Sequence, residues 1–284
     1  PPPSTGRPAR ASLDAMQHDR RVHPALAGLV HRMSGYDLRL DPRAVHHGVP
    51  GPSATVIISF DEPLDVTWCD QPDARSRQWL LASGLHTRPA LIRTHGVQHG
   101  IQLDLTPAGC RALLGVPAAA IARGLVAHAD LPTGIPHDLH ERLAGLDRWG
   151  WDARFALLEE HLLQVAARER SVVPDDLAHA WRLLDRRGGR VTVSGLASEV
   201  GWSRRHLVTR FTGEFGLPPQ EVRQLHRFGA AMRLARAGQP WVEVAARAGY
   251  ADQAHLSREF RALAGQTPTQ WRSEVFPIVQ DDPA

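Results

Sequence analysis

Two groups of hydrogen-bonding side chains recur near the end of this 284-residue sequence at spacings that place each group on one face of a helix. Arg204, Arg205 and Thr209 form the first group; Gln253, His255 and Arg258 form the second. Apolar residues four apart, Leu207 with Phe211 and Leu256 with Phe260, mark the opposite, core-facing sides. Donor-rich faces of this kind suit the edges of nucleic-acid bases, because an arginine fork pairs with guanine and a glutamine amide with adenine. All 33 basic residues of the chain are arginine. From Gly188 to Glu274 there are 12 arginines against 7 acidic residues, a local charge of +5, so the remainder carries −2 within the net +3. A basic segment joined to a near-neutral one points to a nucleic-acid partner.

Other chemistries are less well supplied. His46, His47, His86, His95 and His99 lie in one strand-rich stretch, and imidazole is a common metal ligand. No His-X-His with a following Glu at short spacing occurs among them, so they read as surface or internally satisfied histidines, with no metal or cofactor expected. Cys69 and Cys110 are the only cysteines. Two thiols make neither a disulfide framework nor a four-cysteine zinc site, and both read as buried structural residues. No Gly-rich phosphate loop, Ser-His-Asp order or paired-acid pattern stands out, so the chain is not expected to be an enzyme. A cupin-type enzyme with a DNA-binding appendage is the least favoured alternative.

The elements that must position the donor groups are written twice. The first copy runs Leu196-Ala197, Gly201-Trp202-Ser203, His206-Leu207, Phe211, Gly216 and Pro219. The second runs Val244-Ala245, Gly249-Tyr250-Ala251, His255-Leu256, Phe260, Gly265 and Pro268. The offset is 48 residues at the start and 49 from the histidine onward, so the second copy has one extra residue in its turn. A small alanine lets one helix cross closely over the next, and the glycine four residues later suits the left-handed end of the first helix. Ser203 and Asp252 can cap the helices that follow. Each copy is thus expected to be a helix-turn-helix with an exposed second helix. Between them, Pro219 to Gly238 reads as one helix spanning roughly 30 Å. Successive major-groove segments on one DNA face lie about 34 Å apart, so one chain is expected to present two readers to adjacent segments.

The segment from Ala245 through Gly249-Tyr250, His255-Leu256, Phe260 and Pro268 to Arg272 resembles the signature of the AraC/XylS family of transcription regulators, and the likeness extends over about Pro174 to Val275. It implies a seven-helix DNA-binding domain with reading helices near 203–215 and 252–264. Outward facing and resemblance together assign base reading to Arg205, Thr209, Gln253, His255 and Arg258. Phosphate contacts are assigned to Ser203, Arg204, Arg210, Arg223, Arg227, Arg261 and Thr267. The first copy departs from the family pattern: Thr209 stands where arginine is usual, with Arg210 alongside, which leaves the strength of its base reading open. The resemblance further implies double-stranded DNA and RNA polymerase as partners, a homodimer, and a first domain that senses a small-molecule effector, dimerises, or both. Activation is common in the family.

The fold class expected is α+β, with a small cupin-like β-barrel plus helices first and an all-α double helix-turn-helix domain last. The boundaries read as a mobile tail over 1–20, a sensing or dimerisation domain over 21–170 and the DNA-binding domain over 171–284, with Ser171-Val172-Val173-Pro174 at the junction. Thr55 to Phe60, Leu91 to Arg93 and Gly100 to Leu105 look like short strands. Gly84 to Ala90 and Gly100 to Pro107 resemble N-terminal domains of AraC-type regulators from GC-rich bacteria. Thr106, Pro107 and Gly115 mark the cap, first turn and stop of a helix. A longer helix over 152–170 carries the stripe Phe155, Leu158, Leu162 and Val165, which suits either core packing or a dimer seam. Trp68, Trp79, Phe60 and Arg93 are the candidates for lining an effector pocket, with plain core as the alternative for the aromatic ones. No run of about 18 apolar residues or signal-peptide core occurs, so a cytoplasmic protein without membrane contact is expected.

Overall fold

The structure, a computed structural model, describes residues 15–132, 135–168 and 172–273. Ten strands come first: β1 (Ala15–Arg20), β2 (Val30–Arg39), β3 (Val45–Gly48), β4 (Ala54–Ser59), β5 (Leu64–Trp68), β6 (Ser76–Gln78), β7 (Leu80–Ser83), β8 (Ala90–Arg93), β9 (Val97–Leu105) and, after two helices, β10 (Leu125–Ala127). They build two antiparallel sheets, six strands in the order β1-β2-β9-β4-β7-β10 and four in the order β3-β8-β5-β6. The expected barrel is therefore not closed: among the described residues no ladder joins the two sheets, and each keeps its edges. Residues 1–14 of the expected tail lie outside the described residues, whereas 15–20 are strand β1, paired over six residues with β2.

Alternation along the strands fixes the layers. Val56 and Ile58 of β4 join Ile101 and Leu103 of β9 against the helices, while Ile57 between them turns toward the second sheet with Tyr36, Val66 and Ile92. The helices of this part are α1 (Pro107–Leu114), α2 (Ala118–Ile121), α3 (His137–Ala144) and α4 (Trp151–Arg168). As the sequence indicates, Thr106 caps α1 through the Gly109 N–H and Gly115 ends it at φ +72°. Phe155, Leu158 and Leu162 of α4 are at most 4% exposed inside this core, and Val165 packs half-buried against it. Three of the four residues offered for a dimer seam are thus occupied within the chain; a pairing of α4 would have to use its outer face at Ala153, Ala156, Glu160 and Gln164.

Seven helices follow: α5 (Asp175–Arg186), α6 (Val193–Glu199), α7 (Arg204–Phe215), α8 (Pro219–Arg236), α9 (Trp241–Ala248), α10 (Gln253–Ala264) and α11 (Pro268–Ser273). Their shared core gathers the buried anchors of both repeats, Leu207, Phe211, Leu256 and Phe260, around Leu225, Phe228 and Met232 of α8. Residues 169–170, the end of the helix expected over 152–170, Ser171 of the expected junction, and 274–284 lie outside the described residues. No helix among the described residues is long and apolar enough to cross a membrane.

Candidate nucleic-acid interface

The two copies of the repeat become α6–turn–α7 and α9–turn–α10. In the first, Gly201 takes φ +69° and the Trp202 N–H reaches back to the Ala197 carbonyl at 2.9 Å. In the second, Gly249 takes φ +83° and the Tyr250 N–H reaches the Ala245 carbonyl, also at 2.9 Å. Only a residue tolerant of positive φ closes a helix this way, which is why glycine stands at both positions. The side chain of Ser203 accepts from the His206 N–H at the start of α7, and that of Asp252 accepts from the His255 N–H at 2.6 Å at the start of α10. Ser203 is therefore first a cap, with a hydroxyl still exposed.

Arg204, Arg205, Thr209 and Arg210 are exposed on α7, and Gln253, Arg258 and Arg261 are exposed on α10. His255 is half-exposed and lies edge-on to Tyr250, with ring centroids 5.3 Å apart. Thr267 caps α11 by accepting from the Gln270 N–H. Arg223 of α8 is partly buried, donating to the Gly189 carbonyl and to Gln220. Arg227, assigned to phosphate, is paired within the chain. Its guanidinium donates to the Glu259 carboxylate and lies 4.8 Å over the Tyr250 ring, with its side chain 13% exposed. The Tyr250 hydroxyl also donates to Glu259, at 2.8 Å. This Arg227–Glu259–Tyr250 set ties the second reading helix to α8. Nothing in the sequence distinguishes Glu259 from a solvated helix acid; only the fold brings Arg227 to it.

The first reading helix is tied elsewhere. Glu214, 7% exposed near the end of α7, receives two hydrogen bonds of 2.7 Å from Arg111 of α1. Both partners lie in different parts of the chain, so sequence spacing carried no sign of the pair. Next to it, Gly216 packs so closely on α2 that a Cβ would overlap that of Ala122, and Arg123 donates to Glu221 at 2.6 Å. Gly265, the equivalent of Gly216 in the repeat, faces His47 and Pro89 of the first part, with a Cβ position 3.0 Å from the His47 ring. The same end of α7 and of α10 is therefore docked on the β-rich part, while their arginine-bearing faces stay open.

The remaining candidates do not assemble into one site. Trp68 is buried between the sheets under Arg88, whose guanidinium lies 4.4 Å from the ring centroid. Arg93 lies 3.7 Å from Asp65, Phe60 is buried, and Trp79 is 43% exposed beside His140. Among the histidines, His95 bonds Asp65 and His99 bonds Asp61, each at 3.0 Å, His86 bonds the Arg88 carbonyl, and His46 is buried. Burial pushes the Cys110 thiol up to about 12, which removes it as a nucleophile, and raises Cys69 as well.

Residues 196–274 match the family described as "Helix-turn-helix domain". A Bacillus subtilis (strain 168) protein described as the uncharacterized HTH-type transcriptional regulator YbfI is 32% identical over 66 residues, which is 23% of this chain and 24% of that protein. The chain thus matches about a quarter of the length of that relative. Among solved structures, ToxT from Vibrio cholerae O395 aligns over 87% of this chain and 99% of its own, with a TM-score of 0.53 and 11% identity. Wild-type ToxT from Vibrio cholerae strain SCE256 with an unsaturated fatty acid bound aligns over 91% and 99%, with a TM-score of 0.51 and 11% identity. At that identity the likeness concerns the fold, and it takes in the β-rich part as well as the helices.

Proposed function

We propose that the chain, which matches a helix-turn-helix domain family over residues 196–274, is a sequence-specific DNA-binding transcription regulator of the AraC type that reads two adjacent major-groove segments with one polypeptide. The observation that carries the proposal is the pair of open, arginine-bearing helices, α7 and α10, one in each of the two repeats that flank the single helix α8 in the chain. Eighteen residues of α8 span about 27 Å, against a groove repeat of ~34 Å. Arg205, Thr209, Gln253, His255 and Arg258 read base edges in this scheme. Arg204, Arg210 and Arg261 hold phosphates, with weaker parts for Ser203, Thr267 and the half-committed Arg223.

The β-rich part controls the reader through a small ligand or a partner. Its support is the direct docking of both helix-turn-helix units on it, together with the precedent of a ligand-bound protein of the same fold. RNA polymerase and a second copy of the chain complete the expected partners. Footprinting of the full chain on its own upstream DNA, with salt varied, tests the reading. Protection of two segments one helical turn apart, weakening steeply as salt rises, is expected. Protection of a single segment per chain refutes the two-reader arrangement.

A further inference from the structure

The β-rich part holds a cavity that DNA reading does not use. It has a volume of about 600 Å³ and lies between β6–β7, the 3-10 turn His128–Asp130 and the helices α3 and α4. That volume is ordinary for a small-molecule site. Leu131, Ile135 and Val165 give it apolar walls, and the half-exposed Trp79 stands at its rim. Imidazoles apart, no ionisable side chain among the described residues lines it. An ammonium group would enter without a counter-charge, which burial penalises heavily.

Two histidines in the wall have their proton positions set by the protein. His128 Nε2 accepts the Ile135 N–H at 2.8 Å. Burial, with His161 nearby, depresses its pKa to about 4, so the ring is neutral and its proton sits on Nδ1. Among the described residues that Nδ1–H has no hydrogen-bond partner. His140 donates its Nε2–H to the Ser59 carbonyl at 2.8 Å, which leaves its Nδ1 as the second polar atom of the ring. Trp79 lies beside it, with ring centroids 5.9 Å apart. With the Gln78 amide also on the wall, the cavity offers hydrogen-bond donors and acceptors beside an aromatic surface, with no Asp, Glu or Arg among its described lining.

We propose that this cavity binds an uncharged planar aromatic molecule bearing a hydroxyl and a carbonyl group. The hydroxyl donates to His140 Nδ1, the carbonyl accepts from His128 Nδ1–H, and the ring lies against Trp79. The proposal rests on the regulator reading above only for its biological role; binding itself does not depend on it. The chain that walls the cavity also docks the first reading unit. Arg111 holds Glu214, Ala122 meets Gly216 and Arg123 holds Glu221, and the same segment then runs through β10 to His128.

The full chain is titrated with 4-hydroxyacetophenone, followed by calorimetry and ligand-observed NMR, beside its charged analogue 4-hydroxybenzoate. Saturable binding with a Kd of about 1 mM or tighter is expected for the ketone, as befits its size, and none for the carboxylate. Trp79→Ala weakens binding about tenfold or more. Ala129→Trp, at an exposed position on the wall, blocks it, and both variants keep the unfolding temperature of the parent. Absence of ketone binding, equal binding of the carboxylate, or indifference to both substitutions overturns the site. Footprinting with and without saturating ketone separates the two readings. An unchanged footprint leaves the binding site standing and removes its control of DNA. A chain that protects no DNA fails as a regulator, while the titration still decides the site.

Discussion

Arg258 projects from α10 with no hydrogen-bond partner among the described residues, whereas Arg227 approaches the same helix from α8 and is committed to Glu259 under the Tyr250 ring. The same side chain is a free donor in one place and a strut in the other, and the two substitutions to alanine separate accordingly. Arg258→Ala is expected to leave the unfolding midpoint unchanged and to relax discrimination at one base pair by about 1–3 kcal/mol, measured by competition among operator variants. Equal discrimination in that variant removes Arg258 from the base readers. Arg227→Ala strands the Glu259 carboxylate, 9% exposed, without its charge partner. The expected loss in a urea titration is about 3–5 kcal/mol, with the order of preference among operator variants retained.

At the scale of elements, the repeat supplies its own control. Gly201 and Gly216 have the same left-handed backbone, φ +69° and +80°, but no atom lies within 4 Å of a Cβ at Gly201, while one at Gly216 would run into α2. Gly201→Ala is therefore expected to cost about 1–2 kcal/mol of backbone strain alone. Gly216→Ala adds the displacement of α2, and hydrogen exchange should show faster opening of α2 and the end of α7 in that variant only. Identical exchange in the two variants sinks the docking role. The helices α7 and α10, their caps and their closing glycines were all legible, because each depends on residues within one or two turns. The linker helix was legible to within two residues of its end, since Gly238 at φ +78° stops it. The two-sheet layout was legible only as short strands, because pairing is decided by ladders between distant segments such as β2 with β9. Glu214, Glu259 and the cavity histidines were invisible for the same reason: their partners lie 103, 32 and more residues away or in the backbone of another element.

For the molecule as a whole, His86, His128 and His226 set a pH limit. Burial lowers each to about 4 from an ordinary 6.5. The unfolded chain therefore binds up to three more protons than the folded one at these sites between those values. Stability is complete above about pH 6.5 and falls as pH drops toward 4, with a slope approaching 1.4 kcal/mol per pH unit for each histidine. Urea midpoints taken across that window should show the decline, and replacing His226 with glutamine should lower the slope from these three histidines by about a third; a flat profile contradicts the assignment. The tie between Arg111 and Glu214 has a different kind of consequence. The second reading unit carries its own brace, from Arg227 to Glu259, and so travels intact with the last hundred residues wherever that stretch is joined. The first unit borrows its brace from the β-rich part and leaves it behind. A recombined gene that inherited only the helical end would keep half of its parent's address on DNA faithfully and hold the other half loosely, so the two halves of an operator would drift apart at different rates.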